Sequence, residues 1–410
     1  ADEGDPQGTA GIAGRVQPSD GNHLKESGGD GGVIKRTLQE LCLNITDGKH
    51  GDCENEENSG YYFISCKDIF DGQINYKKAR QITKADFEET HKRTMLEVDD
   101  ILLTNSGTIG RMAFVTDREA TTKTTFQKSV AIIKPDKQKV LPRYLYYQLQ
   151  NCVPQFINSS NGSAQKNLLL STMRTFQIEI EENCEKQEKI ANTLFAYDDL
   201  IENNQRQIKL LEEAAQRLYK EWFVDLRFPG HENTKIVDGV PEGWHWGLLQ
   251  ELINVNYGKD HKKAPESGDV SVYGSGGLIR KCNKSLFSGE AVLIPRKGSL
   301  NNIMYVDETF WTVDTMFYAT MKQPHTAIFV YFFVKSFDMY SMNIGAAVPS
   351  MTTKILDAMN VLIPKDEILG KFDKQAKVCF DKIKTLQRQN EQLRKARDLL
   401  LPKLMSGEAV

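Results

Sequence analysis

The stretch that decides the fold is residues 183–223, NCEKQEKIANTLFAYDDLIENNQRQIKLLEEAAQRLYKEWF. Its apolar residues recur at alternating steps of four and three, the a/d repeat of a coiled coil, without a Pro or Gly. A helix of this length would extend roughly 60 Å, too far to be enclosed by one ordinary globular core. The pattern therefore predicts a long helix that pairs with a second one.

The end of the chain offers that second helix, at about residues 367–400, with the same kind of apolar register. One Asn in each helix, Asn204 and Asn390, falls on the seam, where a polar side chain would fix the pairing register at some cost in stability. The alternative is two ordinary amphipathic helices, each packed on its own domain. The predicted seam consists of Leu194, Ile201, Asn204, Ile208, Leu211, Leu218, Ile383, Leu386, Asn390 and Leu393.

The two halves of the chain also repeat each other. Gln-Arg-Gln at 205–207 recurs at 387–389, residues 177–180 match 360–363, and the loop from Gly162 matches the loop from Gly345. Further upstream, a strand ending in a Gly turn occurs at 102–107 and again at 293–298. Elements that recur in one order at nearly one spacing indicate an internal duplication.

The sequence therefore predicts a mixed α+β fold with a pseudo-twofold internal repeat. Two globular domains are separated by two long helices that pair as an antiparallel coiled coil. We expect a disordered leader, or an addition from the expression vector, at 1–32. The predicted order is then a first globular domain at 33–182, a helical region at 183–226, a linker at 227–243, a second globular domain at 244–365 and a second helical region at 366–410.

Composition and charge are those of a globular protein of ordinary polarity. The formal charge is −3, and residues 1–32 hold six acidic residues against Arg15 and Lys25, so the rest of the chain is nearly neutral. A nucleic-acid surface would thus be a local patch. No apolar run is long enough to cross a membrane and no signal peptide is visible. The seven cysteines are scattered without a C-x-x-C pair, as expected of free thiols in a cytoplasmic protein.

Motifs for bond chemistry are missing from the sequence. There is no G-x-x-x-x-G-K-[ST] phosphate loop, no glycine-rich fingerprint between a strand and a helix, and no H-x-x-x-H pair. The N/D-P-P-Y/F tetrapeptide of amino-methyltransferases is also missing. Residues 274–277 (GSGG) have the composition of a plain turn. We expect a chain that is not catalytic by itself and binds neither a metal nor a cofactor.

Several loops instead carry groups suited to nucleic acid. Gly lets backbone N–H groups approach phosphate, Lys and Arg neutralise it, and Asn, Gln, Arg and Ser can pair with base edges. One such loop alone would be an ordinary polar turn, but equivalent loops in both halves favour a function. The predicted DNA-binding residues are Lys49, His50, Asn105, Ser106, Thr108, Arg111, Gln165, Lys166 and Asn167 in the first half, and Lys259, Lys262, Lys263, Tyr273, Arg296, Lys297, Ser299, Ser350, Thr352 and Lys354 in the second.

The most telling stretch of the chain is LYKEWFVDLRFPG at 218–230, followed by GVPEGW at 239–244. It is similar to the end of the first conserved helix and the entry to the second domain in the specificity subunit of type I restriction–modification enzymes, which the chain resembles from Ile34 onward. Further matches are ITDGKHG at 45–51, DILL at 100–103 before GTIG at 107–110, and QEKIA at 187–191. The second domain departs from the pattern, because Val348-Pro349-Ser350 replaces the loop version that carries Gln165.

The resemblance implies two target recognition domains that read a split, asymmetric site in double-stranded DNA, with the coiled coil setting the half-site spacing. It further implies two methyltransferase subunits and restriction/translocase subunits as partners in defence against foreign DNA. S-adenosylmethionine, ATP and Mg²⁺ would be bound by those partner subunits, with none in this chain. Two other hypotheses are a specificity subunit whose partner carries a fused cleavage function and a non-catalytic coiled-coil adaptor whose globular ends bind protein.

Overall fold

The structure of the chain is a computed structural model that describes residues 32–116, 120–160, 166–263, 265–342 and 350–408, apart from the side chains of Lys78 and Lys263. Almost all of the predicted leader and most of the two matching loops from Gly162 and Gly345 lie outside these residues. The chain divides into two compact units. Unit 1 contains the chain up to Asp199 and the residues from Arg394 onward, and unit 2 is Leu200–Leu393.

Unit 1 contains eleven strands in the described residues, and the first long helix begins in it. The strands are β1 (Val33–Thr37), β2 (Cys42–Asp47), β3 (Tyr62–Ile64), β4 (Ile69–Phe70), β5 (Gln73–Ile74), β6 (Arg80–Gln81), β7 (Ile101–Thr104), β8 (Met112–Phe114), β9 (Thr124–Phe126), β10 (Val130–Pro135) and β11 (Gln177–Glu181). The helices are α1 (Lys84–Thr94), α2 (Pro142–Asn151), α3 (Val153–Asn158), α4 (Leu170–Thr175) and α5 (Cys184–Tyr219).

Unit 2 is built mainly on one large sheet, and the second long helix begins in it. Its strands are β12 (Ile236–Val237), β13 (Val240–Pro241), β14 (His245–Leu248), β15 (Ile253–Tyr257), β16 (Val270–Gly274), β17 (Gly277–Cys282), β18 (Phe287–Pro295), β19 (Met304–Thr312), β20 (Met316–Met321) and β21 (Asn360–Ile363). Its helices are α6 (Ala327–Lys335), α7 (Thr353–Asp357) and α8 (Asp366–Met405).

The sheets of the two units have the same strand order. In unit 1 the four-stranded sheet runs β2-β10-β7-β8, and in unit 2 the corresponding part of the six-stranded sheet runs β15-β20-β18-β19. All of these neighbours are antiparallel. In each unit a separate antiparallel pair, β1 with β11 or β14 with β21, leads into a long helix. The predicted duplication and the mixed α+β class are confirmed.

The repeat extends to a Gly-Lys turn after the first strand of each sheet. In unit 1 the Gly48 and Lys49 amides donate to the carbonyls of Val130 (3.3 Å) and Phe126 (2.8 Å). In unit 2 the Gly258 and Lys259 amides donate to the carbonyls of Met316 (3.0 Å) and Thr312 (2.9 Å). A Cβ at Gly48 or Gly258 would lie 1.9 Å from the carbonyl oxygen of Phe126 or Val313, so neither position has room for a side chain.

The long helices pair antiparallel within each unit. In unit 2, Asn204 donates from its amide nitrogen to the Asn390 side-chain oxygen at 2.9 Å, while Tyr219, later in α5, contacts Phe372, earlier in α8. In unit 1, the Asp198 carboxylate accepts a 2.5 Å hydrogen bond from Arg397, and Leu194 shares a core cluster with Leu404. Leu194, Ile201, Asn204, Ile383, Leu386 and Asn390 are buried, and Ile208, Leu211, Leu218 and Leu393 are half-buried.

The end of each long helix has a feature that the sequence pattern does not predict. The first helix closes with a π turn at Lys220–Val224, where Trp222 and Phe223 pack against Phe372. The second continues beyond the expected residue 400 to Met405, through Pro402. A proline inside a helix costs about 3 kcal/mol, but Leu404 and Met405 are buried in the unit 1 core, and their burial holds the last turn. No helix in the described ranges is long and apolar enough to span a membrane.

We predict that Asn204 and Asn390 stabilise the helix pair as a unit. Asn204→Leu leaves the buried Asn390 amide without its partner and should lower the free energy of unfolding by about 1–3 kcal/mol. Adding Asn390→Leu should recover most of that loss, because two apolar side chains of similar shape then face each other. Urea unfolding of both single variants and the double variant measures this coupling. Leu210→Ala, on a side chain that is 63% exposed, is the control and should change little. Additive losses in the double variant would contradict the prediction.

We also predict that Ala is not tolerated in either Gly-Lys turn. Gly48→Ala and Gly258→Ala should each destabilise the protein by about 2 kcal/mol or more, because the new methyl group meets a backbone carbonyl that must move. Thermal unfolding monitored by circular dichroism checks this. Gly51→Ala is the matched control, since its Cβ would meet only the flexible end of Lys49, at 3.9 Å. Equal melting temperatures for all three variants would show that the turns are not constrained in this way.

Candidate nucleic-acid interface

The central strand of each sheet ends in a turn that is held in the same way in both units. After β7, the Asn105 amide donates to the Ser129 carbonyl (3.1 Å), and the Asn105 carbonyl accepts from the Leu168 amide (2.8 Å). After β18, the Arg296 amide donates to the Thr315 carbonyl (2.8 Å), and the Arg296 carbonyl accepts from the Met351 amide (2.9 Å).

Two residues further on, each turn has a glycine in the left-handed region. Gly107 has φ = 78° and Gly298 has φ = 82°, a conformation that favours glycine. The two turns are therefore the same backbone structure with different side chains.

In unit 1 the three predicted loops meet at one cleft. Its volume is about 730 Å³, and the loop after β2, the turn after β7 and the segment before α4 all line it. Ser106 and Asn167 form a β-bridge between the second and third of these loops. The lining residues are Asp47, His50, Arg93, Asn105, Ser106, Lys128, Asn167, Leu168, Leu169, Leu170 and Ser171.

The buried carboxylate of Asp47 orients two basic side chains at this cleft. Arg93 donates to one oxygen at 2.5 Å, and a ring nitrogen of His50 lies 2.8 Å from the other. The Arg93 and His50 side chains are 51% and 58% exposed, so both can still reach a ligand. Arginine beside a carboxylate keeps further N–H donors for phosphate or base edges.

Arg93 and Lys128 were not among the predicted residues. Arg93 lies in the last turn of α1, and its sequence neighbourhood resembles any solvated helix face. Lys128 is an exposed residue between β9 and β10. Only the folding of these elements beside β2 brings both side chains to the cleft, and no sequence motif marks them.

Lys49 departs from its expected position. Its ammonium group donates to Asp86 at 3.0 Å and to Glu89 at 3.1 Å, both on α1, and it does not line the cleft. The hydrogen bond to Asp86 raises the pKa of Lys49. This lysine therefore attaches α1 to the loop. Its charge is less available for phosphate, because two carboxylates already bind it.

The other predicted residues of unit 1 are divided between the cleft and its surroundings. Lys166 and Thr108 are exposed. Arg111 is half-buried and donates to the Cys66 carbonyl at 3.4 Å, away from the cleft lining. Gln165 lies outside the described residues.

In unit 2, Arg296 is the best defined of the predicted residues. Its guanidinium carbon lies 5.2 Å from the centroid of the Tyr257 ring and 5.4 Å from that of Phe317, and one N–H group donates to the Asp314 carbonyl at 3.1 Å. Cation–π stacking of this kind limits the rotamers of the side chain while leaving other donors available.

The remaining predicted residues of unit 2 are mostly exposed. They are Lys259, Lys262, Lys297, Ser299, Thr352 and Lys354, with Ser350 half-buried and the side chain of Lys263 outside the described residues. The Thr352 hydroxyl accepts from the Ile355 amide and caps α7.

Tyr273 has a different environment from the other predicted residues of unit 2. It donates to Glu308 at 2.7 Å, and burial together with that carboxylate raises its pKa. It lines a separate cavity of about 640 Å³ beside β19 and α8.

The described residues contain no group of three or more His, Cys, Asp or Glu side chains arranged for a metal ion. The cleft of unit 1 and the Arg296 turn of unit 2 are rich instead in amide, hydroxyl and cationic groups. These are the groups that bind phosphates and base edges.

The family model described as "Type I restriction modification DNA specificity domain" matches residues 34–213 and 241–398, one match on each side of the linker. The MjaIX type I specificity subunit of Methanocaldococcus jannaschii is 27% identical over 391 residues, covering 84% of this chain and 86% of the relative. The EcoBI specificity subunit of Escherichia coli is 29% identical over 245 residues, covering 56% of this chain and 48% of the relative.

A solved structure shows the same fold. The type I restriction–modification S subunit from M. genitalium superposes with a TM-score of 0.56 at 18% sequence identity, covering 93% of this chain and 98% of that one. The chain therefore has the overall fold of that S subunit. The two family matches cover most of the chain, and the chain belongs to the family of type I restriction–modification DNA specificity subunits.

Proposed function

We propose that this chain recognises a bipartite, asymmetric site in double-stranded DNA, with one half-site read by each unit. The observation that carries the proposal is that the same two turns recur in both units. Both units hold a Gly-Lys turn and a strand-end turn by the same backbone hydrogen bonds, yet present different side chains from them. A shared scaffold with different side chains is suited to reading two different sequences.

The difference between half-sites follows from equivalent positions. The residue after the Gly-Lys turn is His50 in unit 1 and Asp260 in unit 2, and the strand-end turn begins with Asn105 or Arg296. Amide, imidazole, carboxylate and guanidinium groups select different base edges. An asymmetric target follows, since identical half-sites would require similar groups at these positions.

Affinity in this proposal comes mainly from exposed lysines near the turns. The whole chain carries a formal charge of only −3, so no general positive field attracts DNA. Lys128 and Lys166 in unit 1 and Lys259 and Lys297 in unit 2 are exposed and close in sequence to the turns that carry the proposed base readers. They are suited to neutralise phosphates.

The helix pair is the proposed platform for partner subunits. In unit 2, Leu200 and Leu210 of α5 and Val378 of α8 are 51%, 63% and 68% exposed, and in unit 1, Leu399 of α8 is 69% exposed. These side chains are scattered, and it is the family match that supports a docked partner on the helix pair. We infer that two methyltransferase subunits bind there and that restriction/translocase subunits join them. S-adenosylmethionine, ATP and Mg²⁺ would be held by those subunits in the cytoplasm.

The adaptor hypothesis, in which the globular ends bind protein, is not favoured by the family match. Selection from a random duplex library with the full-length chain, co-expressed with its methyltransferase, separates the two. We expect enrichment of a motif with two specified parts and an unspecified spacer. Enrichment of no motif, or of one continuous motif, would contradict the proposal.

We further predict that Lys166→Ala and Lys259→Ala weaken binding to the selected duplex and to duplexes with altered half-sites by about the same factor. Each variant should also reduce the slope of log affinity against log salt concentration by about one, because one phosphate contact is lost. Lys35→Ala is the matched control, since this lysine is 71% exposed on β1 and pairs with Glu179 outside the cleft. A salt slope in both variants equal to that of the control would count against these lysines as phosphate ligands.

A further inference from the structure

The strand-end turn positions one side chain identically in both units. The backbone N–H of Asn105 or Arg296 donates a hydrogen bond to the carbonyl of one neighbouring loop, and its carbonyl accepts one from the amide of another. Each residue lies two positions before a glycine in the left-handed region. In each unit, the two backbone hydrogen bonds fix the position from which the side chain projects. What differs between the units is therefore the chemistry presented at one fixed place.

In unit 1 that side chain is a buried amide with an unused acceptor. Asn105 is 4% exposed and lines the 730 Å³ cleft. Its side-chain oxygen has no hydrogen-bond partner among the described residues. A buried amide oxygen left unpaired is costly, and such a cost persists where a ligand supplies the missing donor.

The surroundings restrict what the donor can be. Arg93, Lys128 and His50 line the same cleft, so a free cation is disfavoured and a polyanion with neutral N–H donors is favoured. The exposed amine of a base meets this requirement. Asparagine pairs with adenine in the major groove by accepting from N6 and donating to N7.

In unit 2 the same position carries a guanidinium group. Arg296 is held over the Tyr257 and Phe317 rings and bonded to the Asp314 carbonyl. A planar, pre-oriented guanidinium group is the most common partner of guanine, donating to O6 and N7 together.

We propose that the first residue of the strand-end turn is the base reader of each unit, with Asn105 reading adenine in one half-site and Arg296 reading guanine in the other. This inference rests on the proposed function and adds to it which position reads a base and which base it reads. The flanking lysines are then phosphate ligands, and substituting them should not change base preference.

The test is selection from a random duplex library with the full-length chain, its co-expressed methyltransferase and single variants. Asn105→Asp replaces the amide donor with a second acceptor and should change one position of one half-site from adenine to cytosine, whose N4 amine donates to carboxylates. Arg296→Gln should change one position of the other half-site from guanine to adenine. At the altered position, discrimination in favour of the original base should fall on the order of 10- to 100-fold, with every other position unchanged.

Asn44→Asp is the matched control for unit 1, because this exposed residue of β2 does not line the cleft. It should leave the selected motif unchanged. Arg296→Gln lies in the other unit and tests the proposal even when Asn105→Asp impairs folding, which thermal unfolding would reveal.

The possible outcomes separate this inference from the proposed function. A split motif selected by the wild-type chain and left unchanged by Arg296→Gln and by folded Asn105→Asp would overturn the assignment of the readers and leave the proposed function standing. A wild-type chain that selects no split motif would overturn both. Uniform weakening without a change of base would show that these residues hold the loops or contact phosphate.

Discussion

The structure depends on one buried polar contact between its two long helices. Asn204 and Asn390 are almost completely buried, and their amides bond at 2.9 Å, while the neighbouring seam residues are apolar. Leu and Ile side chains can pack in several registers, whereas a buried amide is satisfied in only one. This pair therefore fixes which residues of α5 lie opposite which residues of α8. A second polar contact, Asp198 with Arg397 in unit 1, supports the same antiparallel register.

Each long helix follows directly from a two-stranded pair, α5 from the pair of β1 and β11 and α8 from the pair of β14 and β21. Within each unit, the sheet order, the Gly-Lys turn and the strand-end turn are repeated at the level of individual backbone hydrogen bonds. The backbone of the duplicated turns is the same in both units, and the units differ in the side chains that these turns carry, as at Asn105 and Arg296. Specificity can then change without a change of fold, because the turn geometry does not depend on those side chains.

Much of this could be predicted from the sequence, because long helices and repeats leave periodic signals. The heptad pattern, the duplication and the loops with Asn105 and Arg296 were all visible. Contacts between elements that are distant in the sequence were not visible in it. Lys49 looked free in its loop, but α1 brings Asp86 to within 3.0 Å of it, and Arg93 reaches the cleft only because α1 folds beside β2. The extension of the last helix through Pro402 was equally hidden, since it depends on burial of residues from both ends of the chain.

We propose that the helix pair, through its register and length, sets the distance between the two DNA half-sites. The most direct test inserts seven residues in each helix, after Asn204 and before Asn390, which preserves the heptad seam. Seven residues add roughly 10 Å of helix, and a base pair occupies roughly 3.4 Å, so the selected spacer should lengthen by up to about three base pairs with both half-sites unchanged. A folded insertion variant that selects the original spacer would contradict the account.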